Sequence, residues 1–457
     1  MHLGDLSDDT GLSARLAAGR LSAAAVARQT ALFARVAAHL RADGHPPGAP
    51  AHAFFVPGRI EVLGKHTDYA GGRSLTGAVE RGFAVAAVPG TERAVRLDAL
   101  DAGAATFDLD PDLPPRPGHW SDYGRTVARR VAMNFPGALR GGHLAFAGDL
   151  PAAAGLSSSS ALIVGVFLAL AAINDLESTS RFRAHLAPCL ARAHYLGCVE
   201  NGQSFGPLAG SRGVGTFGGS EDHTAILCSV PGALRCYRYA PARLEHTVPV
   251  PPGYVFAVGA SGVTAHKAGA ARTRYNRAAQ RAAEAAEAWR AATGRTDPHL
   301  AAAVASPGFT PEAMHRALAA GAEAGVLRAR FDAFYAEHAE IVPAAVRALA
   351  DGDLAAFGAL AARSQEEVAE RGLGNQVAET SLLVRAARDA GAVAASAFGA
   401  GFGGSVWALV EEAGASSFLS AWEERYAAAY PQHPSAFFTT PAGPPAFSLA
   451  DASGPPA

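Results

Sequence analysis

The sequence predicts an α+β fold, because segments with strand and helix patterns follow one another in an irregular order along its 457 residues. Short apolar or alternating segments typical of strands occur in both halves of the chain. A longer apolar run, Ala161–Ile173, is too short to cross a membrane and is typical of a buried helix. At this length we expect two or three domains with a large core.

The first half of the chain is predicted to begin with one or two amphipathic helices in Leu12–Leu40, which glycine and proline residues end at 44–50. The elements predicted after them are the strands Ala53–Val56 and Phe83–Val88, the hairpin of Arg93–Leu97 and Ala105–Leu109, the helix Tyr123–Asn134, the strand His143–Ala147, the helices Ser158–Leu176 and Ser180–His194, and the strand Thr224–Cys228.

The second half is predicted to be richer in helix. The elements expected there are the strand Tyr254–Gly259, the long helix Ala268–Thr293, a mostly helical stretch over Pro298–Gly391, the strands Val393–Phe398 and Ser405–Val410, and the helix Trp422–Tyr430. The proline-rich end of the chain, residues 441–457, is predicted to be a disordered tail.

Composition excludes several classes of protein. The formal net charge of -2 argues against a nucleic-acid partner, and we expect no membrane span. The first forty residues contain no apolar signal core and several aspartates, which argues against a targeting peptide. The four cysteines have no metal-type spacing and are too few for a disulfide framework, which indicates a reducing environment. We therefore expect a cytoplasmic protein without disulfides.

A loop rich in serine opens the apolar helix. Gly155 allows a backbone conformation closed to other residues, and Ser157 or Ser158 can cap the helix. The free N–H groups of the first turn, the helix dipole and several hydroxyls favour a phosphate-binding pocket. The alternative is an ordinary, well-capped core helix. The predicted phosphate-binding residues are Gly155, Leu156, Ser157, Ser158, Ser159, Ser160 and Ala161.

Three motifs resemble those of one family of small-molecule kinases. The segment Pro57–Gly72 resembles the N-terminal sugar-binding motif of galactokinases. The loop Gly155–Ser160 resembles the phosphate loop of the wider family that contains galactokinase, homoserine kinase, mevalonate kinase and phosphomevalonate kinase. The segment Phe398–Ser405 resembles the third motif of that family, in which Gly399, Gly401, Gly403 and Gly404 would form a tight turn that supports the phosphate loop.

The resemblance implies a two-lobed fold with the active site in the cleft. An N-terminal lobe of residues 49–250 would follow a helical extension of residues 1–48, and residues 251–440 would form a ferredoxin-like C-terminal lobe. The implied activity is ATP-dependent phosphorylation of a free monosaccharide at its anomeric hydroxyl. The partners are then the sugar and ATP, and the chain is expected to be a monomer or a weak homodimer.

The resemblance also assigns the residues that react with the sugar. Asp222 would accept the proton of the attacking hydroxyl, and Arg59 would hold the carboxylate in its ionised form. Glu221 is the rival for the role of base, and an ordinary turn aspartate is the alternative for Asp222. The residues implied to bind the sugar are Arg59, Lys65, His66, Asp68, Tyr69, Gly71, Asp222 and Tyr275.

A magnesium ion is implied with ATP. In the related kinases a serine of the phosphate loop and a glutamate of a following helix bind this ion, which points here to Ser157 or Ser158 together with Glu200. The alternative for Glu200 is a solvated carboxylate at a helix end.

Lys65 occupies a position where galactokinases usually have glutamate, near the exocyclic end of the sugar. An ammonium there would favour a uronic acid or another C6-modified sugar through a charge-assisted hydrogen bond. The alternative is that Lys65 contacts a neighbouring carboxylate such as Glu61, or a phosphate oxygen, and that galactose remains the substrate. A sensor that binds sugar and nucleotide without turnover, and a kinase of a non-sugar alcohol, also remain possible functions.

Overall fold

Two β-sheets organise the chain, and the computed structural model describes residues 1–151, 154–263, 270–319 and 323–450. The larger sheet has eight strands and belongs mainly to the first half of the chain, whereas the smaller sheet has four strands from the second half. Helices cover both sheets. The α+β prediction is therefore confirmed.

The strands are β1 (His52–Leu63), β2 (Arg73–Pro89), β3 (Ala94–Ala99), β4 (Gly103–Asp108), β5 (Gly142–Gly148), β6 (Ala233–Arg238), β7 (Arg243–Pro249), β8 (Tyr254–Ala260), β9 (Ala394–Ala397), β10 (Ser405–Glu411), β11 (Ala436–Thr440) and β12 (Phe447–Ser448).

The helices of the first half are α1 (Asp9–Ala18), α2 (Ala23–Ala42), α3 (Asp122–Asn134), α4 (Ser158–Ile173), α5 (Ser180–His185), α6 (Cys189–Asn201) and α7 (Glu221–Cys228). Those of the second half are α8 (Ala270–Thr293), α9 (Leu300–Val304), α10 (Pro311–Ala317), α11 (Ala324–Tyr335), α12 (Val342–Ala350), α13 (Leu354–Arg363), α14 (Ala378–Asp389) and α15 (Ala415–Ala429), with π-helical segments at Ala336–Ile341 and Ser364–Leu373.

The larger sheet is built around the long strand β2, which pairs antiparallel with β1, with β5 through its second half, and with β6 through its first half. Side chains alternate between the two faces of this strand. Val85 and Ala87 pack into the core beneath α4, whereas Ala84 and Ala86 pack into the core beneath α2. The N-terminal extension thus covers one face of the sheet, and the helix of the serine loop covers the other.

The smaller sheet has the strand order β11-β8-β10-β9, and all its pairs are antiparallel. Helices α14 and α15 pack on one face of it through Trp422 and Tyr426, and α12 and α13 pack on the other. Trp407 of β10 donates its indole N–H to the carbonyl of Val62 in β1 at 3.1 Å. This bond joins the two lobes through a fully buried side chain.

Two predictions of secondary structure in the first half are wrong. The segment 224–228 belongs to helix α7 rather than to a strand, because the chain turns helical directly after Ser220 with Glu221 and Asp222 in the first turn, where the helix dipole favours acidic side chains. The helix expected over 180–194 is interrupted before Pro188, which has no N–H for a continuous helix and precedes the first residue of α6.

The expectation of a chain without disulfides is also wrong, since Cys189 and Cys228 form one with a Cα–Cα distance of 6.1 Å. The two residues lie far apart in sequence, at the start of α6 and the end of α7, and packing of these helices brings them together.

The predicted disordered tail needs correction over residues 441–450. Phe447 and Ser448 pair with β1, and Leu449 is buried in the core beneath α2. Residues 451–457, and the first two residues of the helix predicted at 268–293, lie outside the described residues. No helix in the described ranges is long and apolar enough to cross a membrane.

Candidate active site

The serine loop lies at the start of α4. Gly155 has φ +73° and Ser157, at the N-cap position, has φ +59°, so the chain turns sharply before the helix begins at Ser158. The Ser157 side chain does not cap the first turn. Ser157, Ser158 and Ser159 all line a cavity of about 440 Å³. The loop therefore presents a helix N-terminus and hydroxyl groups to this cavity.

The third glycine-rich segment lies against the serine loop. Ser405 Oγ donates a hydrogen bond to the carbonyl of Ala154 at 2.6 Å, and a Cβ on Gly399 would lie 3.2 Å from the carbonyl oxygen of Gly155. A Cβ on Gly401 would lie 2.4 Å from the carbonyl oxygen of Asn375. Gly401 also has φ +76°, so both its conformation and the close packing require glycine. The segment thus supports the serine loop from the C-terminal lobe.

Arg59 and Asp222 form an ion pair in the wall of the cavity. The Arg59 Nε and one terminal nitrogen both lie 2.7 Å from Asp222 Oδ1. The other terminal nitrogen donates to the carbonyl of Gly155 at 2.5 Å, so Arg59 also contacts the serine loop. Arg59 is buried, and Asp222, in the first turn of α7, keeps 18% of its side chain exposed. This geometry leaves the carboxylate accessible from the cavity.

Glu200 is buried near the end of α6 and lines the same cavity. Ser160 Oγ donates to Glu200 Oε2 at 2.9 Å and lies 3.3 Å from Asp222 Oδ2, so its hydroxyl links the two carboxylates. His223 Nε2 lies 3.2 Å from Glu200 Oε2. The serine that contacts Glu200 here is thus Ser160, whereas the sequence reasoning paired Glu200 with Ser157 or Ser158.

Four of the residues predicted to bind sugar lie close together beside Asp222. Asp68 accepts a hydrogen bond from the backbone N–H of Glu221 at 3.2 Å. This approach requires glycine at position 219, because a Cβ there would lie 2.4 Å from Asp68 Oδ2. The rings of His66 and Tyr275 are 5.2 Å apart, and those of Tyr69 and Tyr275 are 6.2 Å apart. Asp68, His66 and Tyr275 line the cavity, whereas Tyr69 lies behind them.

Hydrogen bonds fix the orientation of His66. Its Nε2 donates to the carbonyl of Ala400 at 3.1 Å, which leaves Nδ1 to accept from the Tyr69 hydroxyl at 2.9 Å. Arg330 of α11 donates to the Tyr69 hydroxyl at 3.2 Å and to the backbone carbonyl of His66 at 2.6 Å. Sequence reasoning missed Arg330, since no local pattern indicates that α11 reaches this motif.

Gly71 determines the local backbone conformation and does not line the cavity. It has φ +74° and ends the short turn Asp68–Ala70. A Cβ there would collide with the ring of His299, 2.3 Å away. Its contribution is therefore to the shape of the sugar motif.

Lys65 points away from the cavity. Its side chain is buried, and Nζ donates to Ser364 Oγ at 3.0 Å and to Ser396 Oγ at 2.8 Å, both in the C-terminal lobe. Ser364 in turn donates to the carboxylate of Glu337. The carboxylate that Lys65 reaches through Ser364 is thus Glu337, not Glu61. Lys65 does not line the cavity with the other residues of its motif.

Glu61 takes a place in the cavity that the sequence reasoning did not assign to it. It is buried and lies beside the carboxyl group of Glu221. Burial raises the pKa of Glu61 to about 7, although Arg59 and Lys65 oppose this shift. Burial and the neighbouring carboxylates of Glu61 and Asp68 raise the pKa of Glu221 well above its usual value. The sequence does contain a signal for this position of Glu61. Side chains two residues apart on a strand share a face, as Arg59 and Glu61 do on β1.

Comparison with known proteins supports the motif assignments. Three family models match the chain: the galactokinase galactose-binding signature at residues 41–89, the GHMP kinases N terminal domain at 123–198, and the GHMP kinases C terminal at 345–428. The galactokinase of Chloroflexus aggregans is 30% identical over 405 residues, which are 86% of this chain and 91% of that protein. The chain belongs to the galactokinase family.

Other matches to galactokinases are more local. The galactokinase of Glaesserella parasuis is 26% identical over 217 residues, so the match spans about half the length of that relative, 51%. Among solved structures, Lactococcus lactis galactokinase complexed with galactose has a TM-score of 0.70 at 23% identity, covering 87% of this chain and 95% of that one. The mevalonate kinase of L. major has a TM-score of 0.52 at 16% identity, covering 86% and 96%. These structures share the fold.

In this member of the galactokinase family, the far end of the cavity is apolar. The side chains of this end come from four separate elements or connections. The rings pack edge to face, with centroids 5.1 Å apart for Phe83 and Phe146 and 6.1 Å apart for Trp120 and Phe146. Tyr123 completes this wall. Sequence reasoning did not identify it, because each residue belongs to a different predicted element.

Proposed function

We propose that this chain transfers the terminal phosphoryl group of ATP to the anomeric hydroxyl of a neutral monosaccharide, with galactose as the first candidate. The observation that carries the proposal is the Arg59–Asp222 ion pair, which lies between the serine loop and the sugar motif. A base at this position can accept a proton from a hydroxyl that attacks a phosphate held by the loop.

The residues of the cavity fit the two ends of ATP. The N-terminus of α4 and its serine hydroxyls suit the phosphates, and the apolar wall around Phe146 and Trp120 suits a nucleobase. Magnesium prefers oxygen ligands, and the buried carboxylate of Glu200 with a loop hydroxyl, from Ser157, Ser158 or Ser160, would hold it. When bound, that ion supplies neutralising charge to the phosphate oxygens.

Asp222 is favoured as the base over Glu221. Burial and the adjacent carboxylates of Glu61 and Asp68 raise the pKa of Glu221 well above its usual value, which disfavours its ionised form. Asp222 faces the cavity and is ion-paired with Arg59 instead. Arg59 also contacts Gly155, which fixes the distance between the base and the phosphate loop.

The charge of the cavity favours a neutral sugar. Among the described residues that line it, Arg59 is the sole lysine or arginine and is paired with Asp222, whereas Asp68 and Glu200 add acidic groups besides the Glu61–Glu221 pair. A uronate carboxylate about 4 Å from another carboxylate would be disfavoured by about 4 kcal/mol at an effective dielectric constant of about 20. Lys65, bonded to two serines outside the cavity, does not offset this repulsion.

A paired substrate test examines the proposal. The purified chain is incubated with magnesium, ATP and either galactose or galacturonate, which differ at C6, and the product is examined by phosphorus NMR. We expect an anomeric phosphate from galactose and a kcat/KM for galacturonate lower by about a hundredfold or more. Binding of both ligands without any sugar phosphate would identify a sensor, and preference for galacturonate would contradict the neutral substrate.

A further inference from the structure

A cluster of histidine and aspartate side chains joins the N-terminal extension to the larger sheet. His39 lies in the last turn of α2 and Asp43 directly follows that helix. Asp98 lies on β3 and His143 lies on the neighbouring strand β5, where Asp98 and Ala145 are register partners. The four side chains thus come from three elements of the fold.

The cluster is separate from the proposed active site. Ala99 and Phe146 line the active-site cavity, and strand alternation points Asp98 and His143 to the opposite face of the sheet. That face is the one covered by α2. None of the residues assigned to phosphate transfer belongs to this cluster.

The ligand atoms of the cluster converge on one point. Asp98 Oδ2 lies 2.8 Å from His39 Nε2 and 2.9 Å from His143 Nε2. Asp43 Oδ2 lies 3.7 Å from each of the same two nitrogens, and all four atoms lie within 4.8 Å of one another. Zinc bonds of about 2.0–2.1 Å in a tetrahedral site place ligand atoms about 3.3–3.4 Å apart, a value inside this range.

The carboxylates of the cluster also contact Arg96. One terminal nitrogen of Arg96 lies 2.9 Å from Asp98 Oδ2 and 2.6 Å from Asp43 Oδ2, so three donor groups approach Asp98 Oδ2. A carboxylate oxygen has two lone pairs, so it can accept two of these three hydrogen bonds but not all three. An ion bound at the two Oδ2 atoms would replace the contacts of this terminal nitrogen, whereas the bond from Arg96 Nε to Asp98 Oδ1, at 3.1 Å, is compatible with such an ion.

A further histidine orients one of the two imidazoles. His143 Nδ1 lies 3.0 Å from His45 Nε2, so the nitrogen of His143 that faces away from the cluster has a hydrogen-bond partner. A hydrogen bond of this kind to the second ring nitrogen is typical of metal-binding histidines, because it fixes the tautomer and the ring plane. Asp98 and His143 are buried, whereas Asp43 and His39 keep 29% and 35% of their side chains exposed, which leaves a path for entry.

We propose that His39, Asp43, Asp98 and His143 form a tetrahedral site for a divalent transition-metal ion, with zinc as the best match. Two imidazole nitrogens and two carboxylate oxygens are the ligands that zinc accepts in closed, four-coordinate structural sites. The ion would clamp the end of α2 to strands β3 and β5. The site is structural, and its occupancy stabilises the extension without entering phosphate transfer.

Metal binding by the full chain tests the proposal directly. After removal of metal and dialysis against Zn²⁺, elemental analysis is expected to find about one equivalent per chain, and Co²⁺ is expected to give the visible absorption of a tetrahedral site. The His39→Gln and Asp98→Asn variants are expected to lose both signals. Failure of the wild type to bind either ion would overturn the proposal.

Two further variants test the orienting role of His45 and the location of the bound ion. His45→Gln is expected to retain the site but bind zinc about ten- to a hundredfold more weakly, as for loss of an orienting partner. His315→Gln, which alters a histidine paired with Asp332 elsewhere on the chain, is the matched control and is expected to bind normally. Equal retention of zinc by wild type, His39→Gln and Asp98→Asn would place the ion elsewhere and contradict the assignment.

Discussion

At the scale of single residues, the carboxyl pair of Glu61 and Glu221 is the feature that most affects the chemistry of the cleft. Burial raises the pKa of Glu61 to about 7 and that of Glu221 well above its usual value, because two adjacent carboxylates cannot both ionise readily in a low-dielectric site. The protonated form of the pair is therefore favoured over the doubly ionised form.

We predict that Glu61→Gln flattens the dependence of stability on pH. The pKa of Glu61 in the folded chain, about 7, lies above the usual 4.5, so the folded state binds more protons between these values and the free energy of unfolding falls as pH rises through this window. At pH 8 the variant is expected to be more stable than wild type by about 1–3 kcal/mol. Urea unfolding at pH 5 and pH 8 measures this difference.

The exposed Glu424→Gln substitution is the control, because it changes the same chemical group on the surface of α15. It should leave the pH dependence unchanged. The opposite result is a free energy of unfolding of wild type that rises steadily from pH 5 to pH 8, by the same amount as in Glu61→Gln. This result would show that Glu61 ionises normally.

At the scale of elements, the glycine-rich turn after β9 contacts the serine loop at the start of α4. The turn meets the loop through Ser405 and Gly399, and it packs against Asn375 through Gly401. The C-terminal lobe thus contacts the serine loop directly at this point.

We predict that Gly401→Ala weakens catalysis with ATP more than Gly352→Ala does. Both glycines have positive φ, +76° and +72°, so both substitutions carry a similar strain of about 1–2 kcal/mol. A Cβ added at position 401 would collide with Asn375, whereas a Cβ added at position 352 would have no neighbouring atom within 4 Å. We expect kcat/KM for ATP to fall by about ten- to a hundredfold in Gly401→Ala and to stay near wild type in Gly352→Ala.

Steady-state kinetics together with thermal unfolding separate the two contributions. Equal losses of activity in the two variants at equal stability would mean that the turn does not position the loop.

The same elements show how much the sequence predicts. The strands around the motifs and the start of α4 at Ser158 follow from local periodicity and glycine positions. The sequence does not predict the helix at 221–228, because Thr224 and Ile226 have strand propensity, and packing against α4 and α6 overrides it. The orientation of Lys65 could not be predicted either, since Gly64, with φ +109°, redirects the chain just before it. Motif spacing predicts which residues gather, but not which way each side chain points.

At the scale of the whole molecule, a buried charge pair joins the two lobes beside the cleft. Lys65 of the N-terminal lobe bonds to Ser364 and Ser396 of the C-terminal lobe, and Ser364 bonds to Glu337. Burial lowers the pKa of Lys65, and the charge of Glu337 opposes this. Removing one member of such a pair leaves an uncompensated charge, which destabilises the fold more than removing both.

We therefore predict that Lys65→Met destabilises the chain by about 3–5 kcal/mol and that the double variant Lys65→Met with Glu337→Gln regains a large part of this loss. Urea unfolding of wild type, both single variants and the double variant forms the thermodynamic cycle. If the losses of the two single variants simply added in the double variant, Lys65 and Glu337 would not interact. A preference for galacturonate in wild type that vanished in Lys65→Met would instead show that Lys65 contacts the substrate.

The most direct measurement is single-turnover formation of galactose phosphate by wild type and by Asp222→Asn, with galactose binding measured in parallel. The proposed mechanism predicts that Asp222→Asn binds galactose as wild type does and forms product about two to four orders of magnitude more slowly. Glu221→Gln, which replaces a carboxyl group whose ionised form is disfavoured, should have a smaller effect. An Asp222→Asn variant as fast as wild type, or a larger loss in Glu221→Gln, would contradict the assignment of the base.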